Sequence, residues 1–179
     1  MAFTVSFLPQ DEWRGKKLDF NYETDAIYDV LSEQTADGWR LTLKRTSLPA
    51  PESRGFTDTL LSPWLEEPFL LGAVEDGGEV IGFLEAFLEK WSNRLMVSNL
   101  LVLPGHRGQG VGRALMERAF SEGRTLGARL LMLETQTCNA PAIAFYLRCG
   151  LSPIGIDLTC YHNDDVQRRE VRLNLGKAL

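Results

Sequence analysis

Apolar and polar positions alternate along much of the first hundred residues, and the period then lengthens. Residues 27–48, IYDVLSEQTADGWRLTLKRTSL, read as two strands around a polar turn holding Asp37 and Gly38, with Leu41 and Leu43 alternating against Arg40, Thr42 and Lys44. LPAPESRG, residues 48–55, gathers Pro, Ser and Gly and predicts the long loop of the chain. Residues 56–65 predict a short helix carrying Leu60, Leu61, Trp64 and Leu65 on one face. FLLGAVE and EVIGFLEAFLEKW, joined by Asp76-Gly77-Gly78, read as a hairpin, because those turn residues tolerate positive φ. NRLMVSNLLVL, residues 93–103, is the next strand, and it stops at Pro104, which has no N–H to give a ladder.

Beyond Pro104 the apolar spacing becomes helical. Val111, Leu115, Ala119 and Leu126 fall near one face, with Arg113, Arg118 and Arg124 elsewhere. ARLLMLE, residues 128–134, is a continuous apolar run of strand length, as for a strand covered on both faces. Asn139 with Pro141 marks a helix start, Ile143 and Leu147 its stripe, and Gly150 its end. Ile154 to Leu175 reads as two strands around His162-Asn163-Asp164-Asp165. Mostly antiparallel strands followed by strand, helix, strand, helix, strand, strand predict an α+β fold, a sheet with helices packed on it.

A chain of 179 residues, 44% apolar, suits a single domain over residues 1–179, with N-terminal strands and a loop over 1–55 and the core with the site over 56–179. The net charge of −5 argues against nucleic acid or an anionic membrane as partner. No apolar run is long enough to span a bilayer and no leader pattern opens the chain, so a cytoplasmic protein is expected. The three cysteines, Cys138, Cys149 and Cys160, make no metal pair or disulfide framework and are expected to be buried. His106 and His162 are the only histidines, and with them no metal is expected. The charge is unevenly spread: five arginines against two acids between Leu103 and Leu130 make that stretch +3 and leave −8 for the rest. A solvated helix face explains such a run as well as an anion site does.

The chemistry concentrates at Leu103-Pro104-Gly105-His106-Arg107-Gly108-Gln109-Gly110-Val111-Gly112, where a strand runs into a Gly-rich loop that opens a helix. Backbone N–H groups bared by glycine, with the positive end of the helix, suit a diphosphate. A Walker A loop would need Lys where Val111 stands, and a Rossmann loop would need Gly where Arg113 stands. A plain turn that starts a helix is the alternative. Arg107, Gly110 and Gly112 form an R-x-x-G-x-G run that resembles the GNAT N-acetyltransferases. NLLVLPGHRGQGVGRAL is similar to their acetyl-CoA strand, loop and helix, and LETQTCNAPAIAFYLRCGLSPIG to the strand and helix that follow, with Asn139, Tyr146 and Gly150 at matching spacing. ETDAIYDV, WSNRLMVSNLLV, NAPAIAFY and Gly155-x-Asp157-x-x-x-Tyr161 resemble more particularly the streptothricin and nourseothricin acetyltransferases.

The resemblance implies a GNAT fold: a central, mostly antiparallel, twisted mixed sheet with helices on both faces. It implies acetyl-CoA as co-substrate, held by the backbone of Leu101, Val102 and Leu103, by Arg107, Gly108, Gln109, Gly110, Val111 and Gly112, and by Asn139, which as a helix N-cap has a plainer role too. Tyr146, a phenol protonated at neutral pH, is the candidate acid for the departing thiolate; a lone tyrosine with its OH at the surface is the alternative. Glu134, at the mouth of a strand, is the candidate to orient an amine or take its proton, or else an exposed strand-end acid. Glu85, Trp91, Asn99, Asp157 and Tyr161 are candidates for the acceptor, with an edge position facing water the alternative for Glu85. Streptothricin-type enzymes often carry an acid where this chain has Ser98 and Asn99. The expected activity is acetyl transfer to a primary amine, a small cationic antibiotic or polyamine-like metabolite, with a role in antibiotic resistance and a monomer or homodimer as the working form. Acetylation of a protein lysine or N-terminal amine, and non-catalytic acyl-CoA binding, are the alternatives.

Overall fold

The computed structural model describes residues 2–179. In chain order the elements are β1 (Phe3–Phe7), α1 (Gln10–Trp13), β2 (Lys17–Thr35), β3 (Gly38–Thr59), β4 (Phe69–Glu75), β5 (Val80–Glu89), β6 (Arg94–Val102), α2 (Val111–Thr125), β7 (Leu130–Gln136), α3 (Ala140–Arg148), β8 (Ser152–Asp157), α4 (Asp165–Arg168) and β9 (Arg172–Ala178). Seven strands form a mixed sheet in the order β1-β4-β5-β6-β7-β9-β8, and β2 pairs with β3 in a sheet of two. The chain divides into two units, one comprising the chain to Phe20 with Thr57–Leu133 and Gly176–Leu179, the other Asn21–Phe56 with Glu134–Leu175.

In the first unit β5 is an inner strand, antiparallel to β4 on one side and to β6 on the other, and Ile81 through Ala86 are all buried. The β4–β5 turn forms as expected: Gly78 takes φ 85°, its N–H donates to the Glu75 carbonyl at 2.8 Å, and Glu75 N–H donates to Glu79 at 2.9 Å. Helix α2 buries Val111, Leu115, Met116, Ala119, Phe120 and Gly123, the face its spacing dictates, while Leu126 stays exposed just past the last turn. Phe20, Leu60, Leu61, Leu70, Phe83 and Leu101 make a second apolar cluster, with the Trp13 ring 4.8 Å from that of Phe83.

In the second unit the β2–β3 hairpin turns at Ala36 and Asp37, and Ala26, Ile27 and Val30 of β2 are buried. Tyr28 N–H donates to the Thr137 carbonyl at 2.9 Å, and Thr137 N–H to the Val171 carbonyl at 2.8 Å. Helix α3 starts at Asn139, whose Oδ1 accepts from Ala142 N–H at 3.2 Å, and is closed by Gly150 at φ 85°. Leu147 of the expected apolar stripe is exposed, whereas Ile143 is buried. The segment between β8 and β9 contains the short helix α4 rather than a turn alone.

Two expectations are overturned. Residues 48–55 are not a loop but part of β3. A strand in a two-stranded sheet has an open edge, and Pro49 and Pro51, two apart, can both turn their missing N–H toward it. Residues 56–65 are not a helix: Phe56–Thr59 finish β3, and a turn follows in which Leu61 has a left-handed backbone at φ 54°. Leu60, Leu61 and Leu65 are buried there, but Trp64 is 70% exposed. No helix among the described residues is long and apolar enough to cross a membrane.

Candidate functional site

In the first unit, β6 ends at Val102 and a tight loop leads into α2. Gly108 and Gly110 have φ of 78° and 88°, and no protein atom lies within 4 Å of where a Cβ on either would stand, so the loop's open side is lined by main chain. Gly110 is the N-cap of α2 and no side chain caps the helix, which leaves first-turn N–H groups for an anion. The loop is braced from behind. His106 N–H donates to the Leu103 carbonyl at 3.1 Å, Gln109 Nε2 to the Gly105 carbonyl at 2.7 Å, and Arg107 Nε to the Val102 carbonyl at 3.1 Å. His106 Nδ1 also lies 3.5 Å from Glu75 Oε1. These features fit a diphosphate group. Part of the local positive charge is spent within α2, where Arg113 pairs with Glu117 at 2.9 Å and Arg118 with Glu122 at 2.7 Å.

The β6 backbone resolves which amides can serve a ligand. The pairs of β6 with parallel β7 run from Arg94↔Leu130 to Val97↔Leu133, and pairing with β5 runs on to Val102. Leu103 N–H donates to the Ile81 carbonyl at 2.9 Å, so by the alternation of an antiparallel ladder Leu101 N–H also faces β5, and Leu100 and Val102 N–H face away from it. Of the expected Leu101–Leu103 amides, only that of Val102 faces away from β5, and Leu100 joins it. The sequence shows a strand here, not its register on β5.

Glu85 is on an inner strand and is 0% exposed, which overturns the edge position facing water. Its Oε2 accepts from Leu61 N–H at 2.6 Å, and its Oε1 from the Ser98 hydroxyl at 2.6 Å and the Asn99 amide at 3.4 Å. Asn99 is buried beside it. Trp91, in the β5–β6 turn, is 82% exposed, with the Arg94 guanidinium 5.3 Å from its ring.

In the second unit, the Tyr146 hydroxyl has no hydrogen-bond partner among the described residues. Burial, and secondarily the neighbouring Cys149 thiol, push its pKa above the ordinary phenol value, and the residue as a whole is half-buried. Glu134 is paired with the Arg172 guanidinium, whose Nη1 lies 3.3 Å from Cys160 Sγ. Tyr161 is half-buried and its pKa is raised, first by burial and then by the Glu134 charge. Asp157 is exposed and accepts from Thr159 N–H at 3.0 Å. Asp165 is fully buried and receives the N–H groups of Tyr161 and His162, each at 2.8 Å, fixing the loop that carries Tyr161. Cys138 is buried as expected, but Cys149 and Cys160 are only half-buried. Sequence reasoning passed over Arg172 and Asp165. The run of Asn and Asp before α4 signals backbone-binding side chains, whereas nothing local marks Arg172.

The sequence profile of the acetyltransferase (GNAT) family matches residues 26–151. A streptothricin acetyltransferase of Streptomyces lavendulae is 32% identical over 160 residues, covering 86% of this chain and 82% of its own. One from Escherichia coli is 38% identical over 160 residues, covering 88% of this chain and 85% of its own. The crystal structure of nourseothricin acetyltransferase superimposes with a TM-score of 0.76 at 30% identity, covering 99% of both chains.

Proposed function

Since the chain belongs to the acetyltransferase (GNAT) family and is an acetyl-CoA-dependent N-acetyltransferase, we propose that its acceptor is a small cationic amine antibiotic of the streptothricin and nourseothricin class. The observation that carries this acceptor is the likeness to a nourseothricin acetyltransferase over 99% of both chains, in place of a match confined to the donor motif. On this reading the N–H groups of the Gly108–Gly112 loop and the α2 N-terminus hold the diphosphate, with Arg107 bracing the loop. The outward amides of Leu100 and Val102 receive the pantetheine arm and polarise the thioester carbonyl, and Asn139 caps α3 while contacting the same co-substrate. Amide donors aimed at a developing oxyanion are worth several kcal/mol in a water-poor site, roughly 3–4 for one donor.

Glu134, through a water, takes the proton that the ammonium must lose before its nitrogen can attack the acetyl carbon. As the C–S bond breaks, Tyr146 gives its proton to the thiolate, its raised pKa having kept that proton in place until then, and the tyrosinate is restored by the surplus proton of the newly acylated nitrogen. Trp91 offers a ring face, and Asp157, Glu134 and Tyr161 offer oxygens, to a cationic acceptor. Acetylation turns that cation into a neutral amide.

The test is to mix the protein with acetyl-CoA and streptothricin or nourseothricin, following thiol release and product mass together. The expected outcome is stoichiometric thiol and acetylated antibiotic. Acetylation of peptide lysines or N-terminal amines with the antibiotics untouched would overturn the acceptor, and tight acetyl-CoA binding with no thiol release from any amine would mean a binding module.

A further inference from the structure

The buried carboxylate of Glu85 meets only neutral donors: Leu61 N–H on one oxygen, and the Ser98 hydroxyl and Asn99 amide on the other. A buried charge without a cation is costlier than a neutral group of the same shape, so packing alone gives no reason for an acid here. Its place in the sheet gives one. The register of β5 on β6 runs Ala86↔Val97 and then Glu85↔Asn99, so Ser98 is the extra residue of a β-bulge, and Glu85 faces it. The Ser98 hydroxyl lies 2.6 Å from the Glu85 carboxylate and 3.3 Å from its carbonyl. Leu100 and Val102, whose amides turn away from β5, come directly after the bulge. The other carboxylate oxygen anchors Leu61 in its left-handed turn at φ 54°, a conformation a leucine adopts only when its surroundings impose it.

We propose that Glu85 is a positioning residue for acetyl transfer: by gripping Ser98 and Asn99 it holds the bulge that aims the Leu100 and Val102 amides at the acetyl thioester. The inference rests on the reading above, in which those amides receive the thioester. Its donors hold the carboxylate toward Leu61 and the bulge, which makes its part in the reaction that of placing other groups. Glutamine keeps the shape but presents an NH2 group on one of the two sides, and so loses an acceptor at either Leu61 or the bulge.

The experiment pairs kinetics with amide hydrogen exchange on Glu85→Gln, Ser98→Ala and the double variant. In the wild type, acetyl-CoA protects the amides of Leu100 and Val102. In Glu85→Gln that protection is lost and kcat falls at least about tenfold, while KM for the amine and the affinity for free CoA stay within about twofold. The double variant is no slower than Glu85→Gln, because both changes act through one bulge. Should Glu85→Gln fail to fold, Ser98→Ala alone is read the same way. Wild-type kcat and protection in Glu85→Gln overturn the inference, as does a rise confined to KM for the amine, which would make Glu85 an acceptor contact. Absence of acetyl-CoA protection in the wild type overturns the donor-site reading as well, and so separates the two failures.

Discussion

Tyr146 shows how environment tunes a common side chain. Burial and the neighbouring Cys149 thiol raise its pKa, so the phenol stays protonated past its ordinary value. Tyr146→Phe is expected to lower kcat by about two orders of magnitude or more and to leave acetyl-CoA affinity within about twofold, as checked by steady-state kinetics and calorimetry. Because the acid form persists as pH rises, the wild-type kcat profile has no falling limb from this group below about pH 10. Spacing after Asn139 made Tyr146 legible, since one helix carries both. Arg172 was not legible, because it meets Glu134 only through folding. Glu85 was visible as an acid among apolar residues, but its burial follows from β5 lying inside the sheet, which period-two alternation does not reveal.

At the scale of elements, the contact between β5 and α2 depends on one missing side chain. A Cβ on Gly82 would stand 2.9 Å from Val111 Cγ1, 3.2 Å from Leu115 Cδ1 and 3.2 Å from the Leu101 carbonyl. Gly82→Ala is therefore expected to wedge α2 off the sheet and destabilise the protein by about 1–3 kcal/mol, measured by denaturant unfolding. Because Val111 begins the helix that the diphosphate loop opens, acetyl-CoA affinity should fall with it. Helix α2, the β4–β5 hairpin and α3 were all legible, each being specified by its own period and end signals. Residues 48–65 were not. Proline-rich sequence reads as loop unless an open strand edge accommodates it, and the apolar spacing of Leu60, Leu61 and Leu65 serves a turn as well as a helix when the Glu85 carboxylate takes the Leu61 N–H.

For the molecule as a whole, three tyrosines couple stability to alkaline pH. Tyr22, Tyr146 and Tyr161 all have raised pKa values, each owing first to burial. The unfolded chain loses these protons near pH 10 while the folded chain keeps them, so their stabilisation is complete below about pH 10 and is lost above it. Thermal midpoints should fall steeply past that point, the tyrosinate absorption of these residues should rise with unfolding and not before it, and Tyr22→Phe should shift the alkaline transition upward. The net charge of −5 conceals a +3 segment over 103–130, and i,i+4 pairs within α2 neutralise part of it, so an anion bound at the loop would rely on backbone donors more than the arginine count suggests. By itself the sequence determined the family and, α4 apart, the order of elements after residue 69, because each of those elements is specified by its own period and end signals, and the strand, glycine-rich turn and helix N-terminus at 103–112 are contiguous. Only the tertiary structure decided which amides of β6 face away from β5, what holds Glu85 and what pairs with Glu134. Those depend on strand register and long-range packing, which join Glu85 to Leu61 and Ser98 across separations of 24 and 13 residues that no local period encodes.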